Sequence, residues 1–242
     1  MVEKYFFSLD YANSRRAIDT GLEAGRVLRG EFGRALDGKL GVKLNQDLFT
    51  GEVDLDFMDF PANGYDIFAD MKIAHGADTG SRILSRMSTV NPGLRLPIRY
   101  VTVSAGLGAK ILREYVRAAQ EYAMDVIAFT AHTKIPESEA RQMYNGENMD
   151  DVIFNLGSQA ANAGCHAIVL EAERLRNERV RGLPLKKLVT GIRIDPKDAG
   201  SQSRVTKLGD LAELKDCVDY VVVSSKYLEN PDALRAYFAA LL

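Results

Sequence analysis

Along this chain, short runs of consecutive apolar residues alternate with longer stretches in which apolar residues recur at every third and fourth position. The first pattern suits strands buried on both faces and the second amphipathic helices, and their alternation predicts repeated βα units around a parallel sheet. Eight strands are predicted, at Tyr5 to Leu9, Leu40 to Leu44, Asp66 to Ala69, Arg99 to Val103, Val126 to Phe129, Ala167 to Leu170, Lys187 to Thr190 and Tyr220 to Val223. Helices are predicted over Ser14 to Arg29, Ala109 to Glu121 and Asp150 to Asn162. No Pro-, Gly- or Ser-rich linker interrupts the series, so residues 1–242 are expected to form one α/β domain, a (β/α)8 TIM barrel. Longer loops follow the fifth strand (Thr130 to Met149) and the seventh (Gly191 to Lys207). Both lie at strand C-termini, the face on which barrels of this kind carry their chemistry.

Composition narrows the function more than the fold. With 242 residues, 46% hydrophobic and 26% charged, and a formal net charge of -2, the chain has no basic run or interleaved aromatics of the sort that grips nucleic acid. The segment Met1 to Asp10 is too short and too soon interrupted by charge for a signal peptide or a membrane span, and no membrane association is expected. Cys165 and Cys217 stand far apart, which predicts reduced thiols and, with the features above, a cytoplasmic protein. His132 and His166 lie in apolar surroundings and read as packing residues; no Cys or His spacing suggests a metal. Gly106 and Gly108 lack the third glycine of a dinucleotide fingerprint.

Polar residues at the predicted strand ends form a constellation: Asp10, Lys43, Asp70 with Lys72, Ser104, Thr130 with His132, and Glu171. Asp70 and Lys72 stand two positions apart, so on an extended chain both point to one side and line one cavity. Two ammoniums around a carboxylate, shielded from water, suit a reaction that builds negative charge on carbon, with a lysine as the proton source. Schiff-base chemistry is the competing use of such a lysine, but Asp70 pushes Lys72 towards its charged form. Glu171, Glu173 and Arg174 read as a solvated helix start, and Arg174 to Arg179 as an exposed helix face.

The segment Gly64 to Thr79, with Asp70, Lys72 and the following loop, resembles the D-x-K-x-x-D motif of the orotidine 5'-phosphate decarboxylase family. Ser8-Leu9-Asp10 is similar to that family's first strand, Gly41-Val42-Lys43 to its second, Leu188 to Arg193 with Ala199 to Arg204 to its seventh strand and phosphate loop, and Asp219 to Val223 to its eighth. The resemblance runs in order from about Tyr5 to Pro231. It implies a homodimeric barrel, with an active site shared across the interface and no metal or organic cofactor, that removes carbon dioxide from orotidine monophosphate to give uridine monophosphate. On this resemblance Lys43 and Asp70 bridge ribose and reacting centre, Lys72 protonates the carbanion, and Asp10 holds a ribose hydroxyl. Thr79 reaches the partner's ribose, Gln202 binds pyrimidine or phosphate, and Gly191 to Arg193 offer backbone amides to the phosphate, with Thr130, Thr133, Ser224, Ser225 and Lys226 completing the substrate-binding set.

Four places depart from the family pattern. His75 stands where the second motif aspartate is expected, and a histidine cannot reproduce a fixed carboxylate. The eighth strand runs into Ser224-Ser225-Lys226 instead of a phosphate-gripping Gly-Arg pair, which replaces a bidentate fork by a point charge. Thr102-Val103-Ser104 replaces the usual fourth-strand histidine, and no proline precedes Gly191. These departures keep two other readings open: a barrel lyase for another phosphorylated sugar or nucleotide, distinguishable by magnesium dependence, and a catalytically silent ligand-binding homologue.

Overall fold

In the computed structural model, which describes residues 2–49, 55–91, 93–132, 135–195 and 205–242, eight parallel strands close into a barrel. They are β1 (Lys4–Leu9), β2 (Leu40–Asn45), β3 (Asp66–Ile73), β4 (Ile98–Ser104), β5 (Asp125–Phe129), β6 (Ala167–Glu171), β7 (Lys186–Thr190) and β8 (Tyr220–Val223). Each strand pairs with its neighbours in sequence and β1 closes on β8, as the apolar-run pattern predicts. The longest covering helices are α1 (Ser14–Phe32), α2 (Ala77–Ser88), α3 (Gly108–Gln120), α4 (Glu137–Tyr144), α5 (Met149–Ala163), α6 (Leu208–Leu214) and α7 (Pro231–Ala239). The loop expected after β5 thus contains α4. The loop expected after β7 contains a parallel pairing of Ile192–Arg193 with Thr206–Lys207.

Through the lower part of the barrel side chains alternate across the sheet, and this alternation splits the core in two. Tyr5, Phe7 and Leu9 of β1, Leu40, Val42 and Leu44 of β2, and their equivalents pack outward against the helices. Phe6, Phe68, Tyr100, Ile127, Ala167, Leu188, Tyr220 and Val222 fill the barrel interior as a separate cluster. Phe6 meets Phe68, Tyr100 and Tyr220 edge-on, at ring-centroid separations of 5.2, 5.4 and 6.0 Å. Room for its ring comes from the neighbouring strand: a Cβ at Gly41, which is registered against Phe6, would lie 2.6 Å from that ring. This aromatic plug seals the barrel below the next inward layer, the polar one.

His166 stacks on Tyr220 with an interplanar angle of 14° and hydrogen-bonds the Tyr220 hydroxyl at 2.7 Å, but its surroundings are not apolar, since the Asp125 carboxylate lies 3.8 Å away; His132, also expected to be a packing residue, instead lines the cavity at the mouth of the barrel. Cys165 and Cys217 are free thiols. No helix among the described residues is long and apolar enough to cross a membrane.

The reading of Glu171 as a solvated helix start is corrected. Glu171 is buried, because it continues the inward phase of Ala167 and Val169, and its carboxylate lies 3.9 Å from the Arg174 guanidinium. The segment from Arg174 to Arg179 is likewise no single exposed helix face. It is a 3-10 turn followed by a short helix, with Leu175 fully buried and Arg174 held to Asp150 at 2.9 Å.

Candidate active site

One step further along the same inward phase, the residues change from aromatic to charged. Ser8 and Asp10 follow Phe6, Lys43 and Asn45 follow Gly41, and Asp70 follows Phe68. They converge on a cavity of about 450 Å³ at the C-terminal mouth of the barrel, with Lys72, Thr130, His132, Thr190, Gly191, Arg193 and Ser224 on its rim and Phe129, Val169, Leu188 and Val222 forming an apolar wall opposite.

Lys43 is the hub of the charged side. All three ammonium protons find oxygen, at 3.0 Å to Asp10 Oδ1, 2.6 Å to Asn45 Oδ1 and 3.3 Å to Asp70 Oδ2. Asp10 is held in turn by the Ser8 hydroxyl at 2.8 Å, and Lys72 Nζ reaches Asp70 Oδ2 at 2.5 Å. The four ionic groups therefore form a chain of alternating sign, Asp10–Lys43–Asp70–Lys72. The inner pair is deeply buried, whereas Asp10 and Lys72 are 45% and 39% exposed at the side chain.

Each charge secures the next. Burial pushes the Asp70 carboxyl up, but the Lys43 and Lys72 charges and hydrogen bonds from Lys72 and Thr102 outweigh it and bring it from 3.8 down to about 2. Burial draws the Lys43 ammonium down, but the facing Asp70 and Asp10 carboxylates more than restore it, and it lies above its ordinary value. Asp10 is raised by burial and lowered further by Lys43 and Ser8, for a net decrease. Asp10, Lys43 and Asp70 therefore keep their charges across the neutral range.

A stability profile follows. Because the folded-state value of Asp70 is depressed from 3.8 to about 2, its contribution is present above the unfolded value and is lost as pH falls towards the folded one. Urea midpoints taken stepwise from about pH 6 to about pH 3 are expected to drop more steeply below about pH 4 in the wild type than in Asp70→Asn. Parallel profiles would show that the buried carboxylate is not ionised.

Asp70 and Lys72 meet, but not by simple alternation. The β3–β4 register runs Ala69↔Val101 and then Ile73↔Val103, so three residues of β3 oppose Thr102 alone. Within this bulge Lys72 adopts φ +47, a left-handed conformation that costs a non-glycine residue about 1–2 kcal/mol. The bulge turns the lysine back over the aspartate that two extended residues would only have placed alongside it.

Of the other expected site residues, Thr130 lines the cavity while donating to Val169 O at 2.7 Å, and Gly191, Arg193 and Ser224 line it with their neighbours. Ser225 and Lys226 lie outside the lining, because the chain turns at Ser224 into a short helix, Ser225–Leu228, that carries Lys226 to the surface. His75, Asp78 and Thr79 are exposed at the start of α2 and contribute nothing to this chain's own cavity. That turn is anchored from behind: Tyr115 hydroxyl donates to His75 O at 2.9 Å, over Gly80, where a Cβ would overlap the tyrosine ring at 2.1 Å. Thr133 and Gln202 lie outside the described residues. Sequence reasoning missed Ser8, Asn45 and Thr102. All three share the inward phase of named residues, and extending the period-two pattern by one step from Asp10, Lys43 and Tyr100 finds them.

Residues 37–239 match the model of the orotidine 5'-phosphate decarboxylase / HUMPS family. Orotidine 5'-phosphate decarboxylase of Staphylococcus saprophyticus is 27% identical over 206 residues, covering 82% of this chain and 84% of that protein. Its namesake from Staphylococcus aureus is 23% identical over 212 residues, covering 86% and 88%. Among solved structures, orotidine 5'-phosphate decarboxylase of Lactobacillus acidophilus superposes with a TM-score of 0.69 at 17% identity, covering 99% of both chains. Orotidine 5'-monophosphate decarboxylase of Methanocaldococcus jannaschii, complexed with the inhibitor BMP, also gives 0.69, at 16% identity over 100% of this chain and 99% of that one.

Proposed function

The chain belongs to the orotidine 5'-phosphate decarboxylase / HUMPS family, and from that premise we propose that it decarboxylates orotidine monophosphate to uridine monophosphate without a cofactor, as a step of pyrimidine biosynthesis. The observation that carries this reading is the Asp10–Lys43–Asp70–Lys72 chain at the mouth of a cavity whose far wall is apolar. The pyrimidine lies against Phe129, Val169 and Leu188, and the ribose hydroxyls against Asp10 and Lys43. The carboxylate to be lost faces Asp70, whose charge is fixed and cannot be neutralised by a proton near neutral pH. The carbon–carbon bond breaks, carbon dioxide leaves, and the electron pair stays on the ring carbon beside the Lys72 ammonium. Lys72 then donates one proton to that carbon. Cations held in place before the reaction stabilise the developing charge without reorganisation, which is why their fixed geometry counts towards rate.

The phosphate belongs at the Thr190, Gly191, Arg193 and Ser224 end of the cavity, on the far side from Asp10. His75 and Thr79, exposed and outside their own cavity, serve a neighbour's site in a homodimer with shared active sites. Substituting the motif carboxylate back tests this: His75→Asp is expected to raise both kcat and kcat/KM by about 10-fold if the lost charge acts in the transition state. An unchanged rate would argue for a different substrate. His75 also motivates the second reading, a lyase for another phosphorylated sugar or nucleotide; activity that appears only with magnesium supports it over the first.

A further inference from the structure

We propose that Thr102 is a positioning residue for the reaction: its hydroxyl locks the β3 bulge and so fixes Asp70 and Lys72 against each other. This inference rests on the decarboxylase reading for its reaction and on the fold for its geometry. Within the bulge the Lys72 amide points away from the regular ladder and donates to Thr102 Oγ1 at 2.7 Å. The same hydroxyl donates its proton to Asp70 Oδ1 at 3.0 Å. One oxygen thus ties the main chain of the proton donor to the carboxylate beside it. This requires a group that accepts and donates at once, which a hydroxyl does and a methyl cannot. Thr102 is 1% exposed and forms no part of the cavity lining, so it acts through its neighbours and not on substrate.

The tie matters because the bulge holds Lys72 in a left-handed conformation that relaxes unless something opposes it. Without the hydroxyl, a part-buried amide loses its acceptor and Asp70 loses one donor, and both effects favour drift of the ammonium. Small misplacements of a reacting group lower the rate far more than they lower affinity.

Thr102→Val, close in shape and lacking only the hydroxyl, is expected to lower kcat for orotidine monophosphate about 10- to 100-fold while leaving KM within about 3-fold. Thr102→Ser is expected to recover most of the rate. A second readout does not depend on turnover. Asp70 faces Lys43 and Lys72, with Asp10 beyond Lys43. Loss of the Thr102 bond weakens the pull that lowers Asp70, so the loss of urea stability below about pH 4 is expected to be shallower in Thr102→Val than in the wild type, and Thr102→Ser keeps the wild-type profile. Should Thr102→Val not accumulate as folded protein, Thr102→Ala takes its place in both assays. An unchanged kcat, or a serine variant as impaired as the valine one, overturns the proposal. If the wild type does not decarboxylate orotidine monophosphate, the decarboxylase reading fails by itself. In that case a shallower acid profile in Thr102→Val still supports the link from Thr102 to Asp70, and a profile as steep as the wild type's overturns it.

Discussion

Lys72→Ala is expected to lower kcat for orotidine monophosphate by about 10²- to 10⁴-fold, the range spanned by loss of a positioned proton donor. Among the described residues lining the cavity the other ammonium is Lys43, which already spends its three protons on Asp10, Asn45 and Asp70. The loss should fall on kcat and kcat/KM alike, since the proton moves only after the carbon–carbon bond has begun to break. The fold should survive, because the Lys72 side chain is 39% exposed and alanine pays the same left-handed backbone cost. Lys72→Arg keeps the charge, but its planar guanidinium never deprotonates and does not fit the ammonium position at 2.5 Å from Asp70, so it should recover little rate. Steady-state rates alongside a thermal unfolding curve check both halves; full activity in Lys72→Ala would remove the lysine from the mechanism.

Lys43→Met should be the more damaging change to the protein itself. Removing one partner from a buried ionic cluster leaves the others uncompensated, at about 3–5 kcal/mol, and the exposure of Asp10 places this case near the lower end. Urea unfolding at neutral pH should show that loss. Asp70→Asn in the Lys43→Met background should recover part of it, because the residual cost is chiefly that of a buried carboxylate left with one ammonium, Lys72, beside the neutral Thr102 hydroxyl. A loss below about 1 kcal/mol, or no recovery in the double variant, would mean that Lys43 does not organise the cluster. Turnover should vanish in either background.

The barrel was legible because strands buried on both faces print uninterrupted apolar runs, and all eight observed strands contain their predicted cores. The charged chain was legible for a related reason: Asp10, Lys43 and Asp70 interrupt or end apolar runs where no solvated face can account for them. Its supports were not. Thr102 and Asn45 are ordinary strand-end residues by composition, and only their phase relative to Tyr100 and Lys43 marks them as inward. The Lys72 bulge cannot be seen in a period of two at all, since it arises from the mismatch between β3 and the shorter path of β4. Position after β8 does not by itself show where Ser225 and Lys226 point: the immediate turn into a helix carries Lys226 to the surface.

Incubating the purified protein with orotidine monophosphate, with magnesium and with a chelator, and following loss of the orotate chromophore decides whether it decarboxylates this nucleotide without a metal. Turnover at the same rate is expected in both conditions. Absence of turnover in both, together with no calorimetric binding of uridine monophosphate, would contradict the decarboxylase reading.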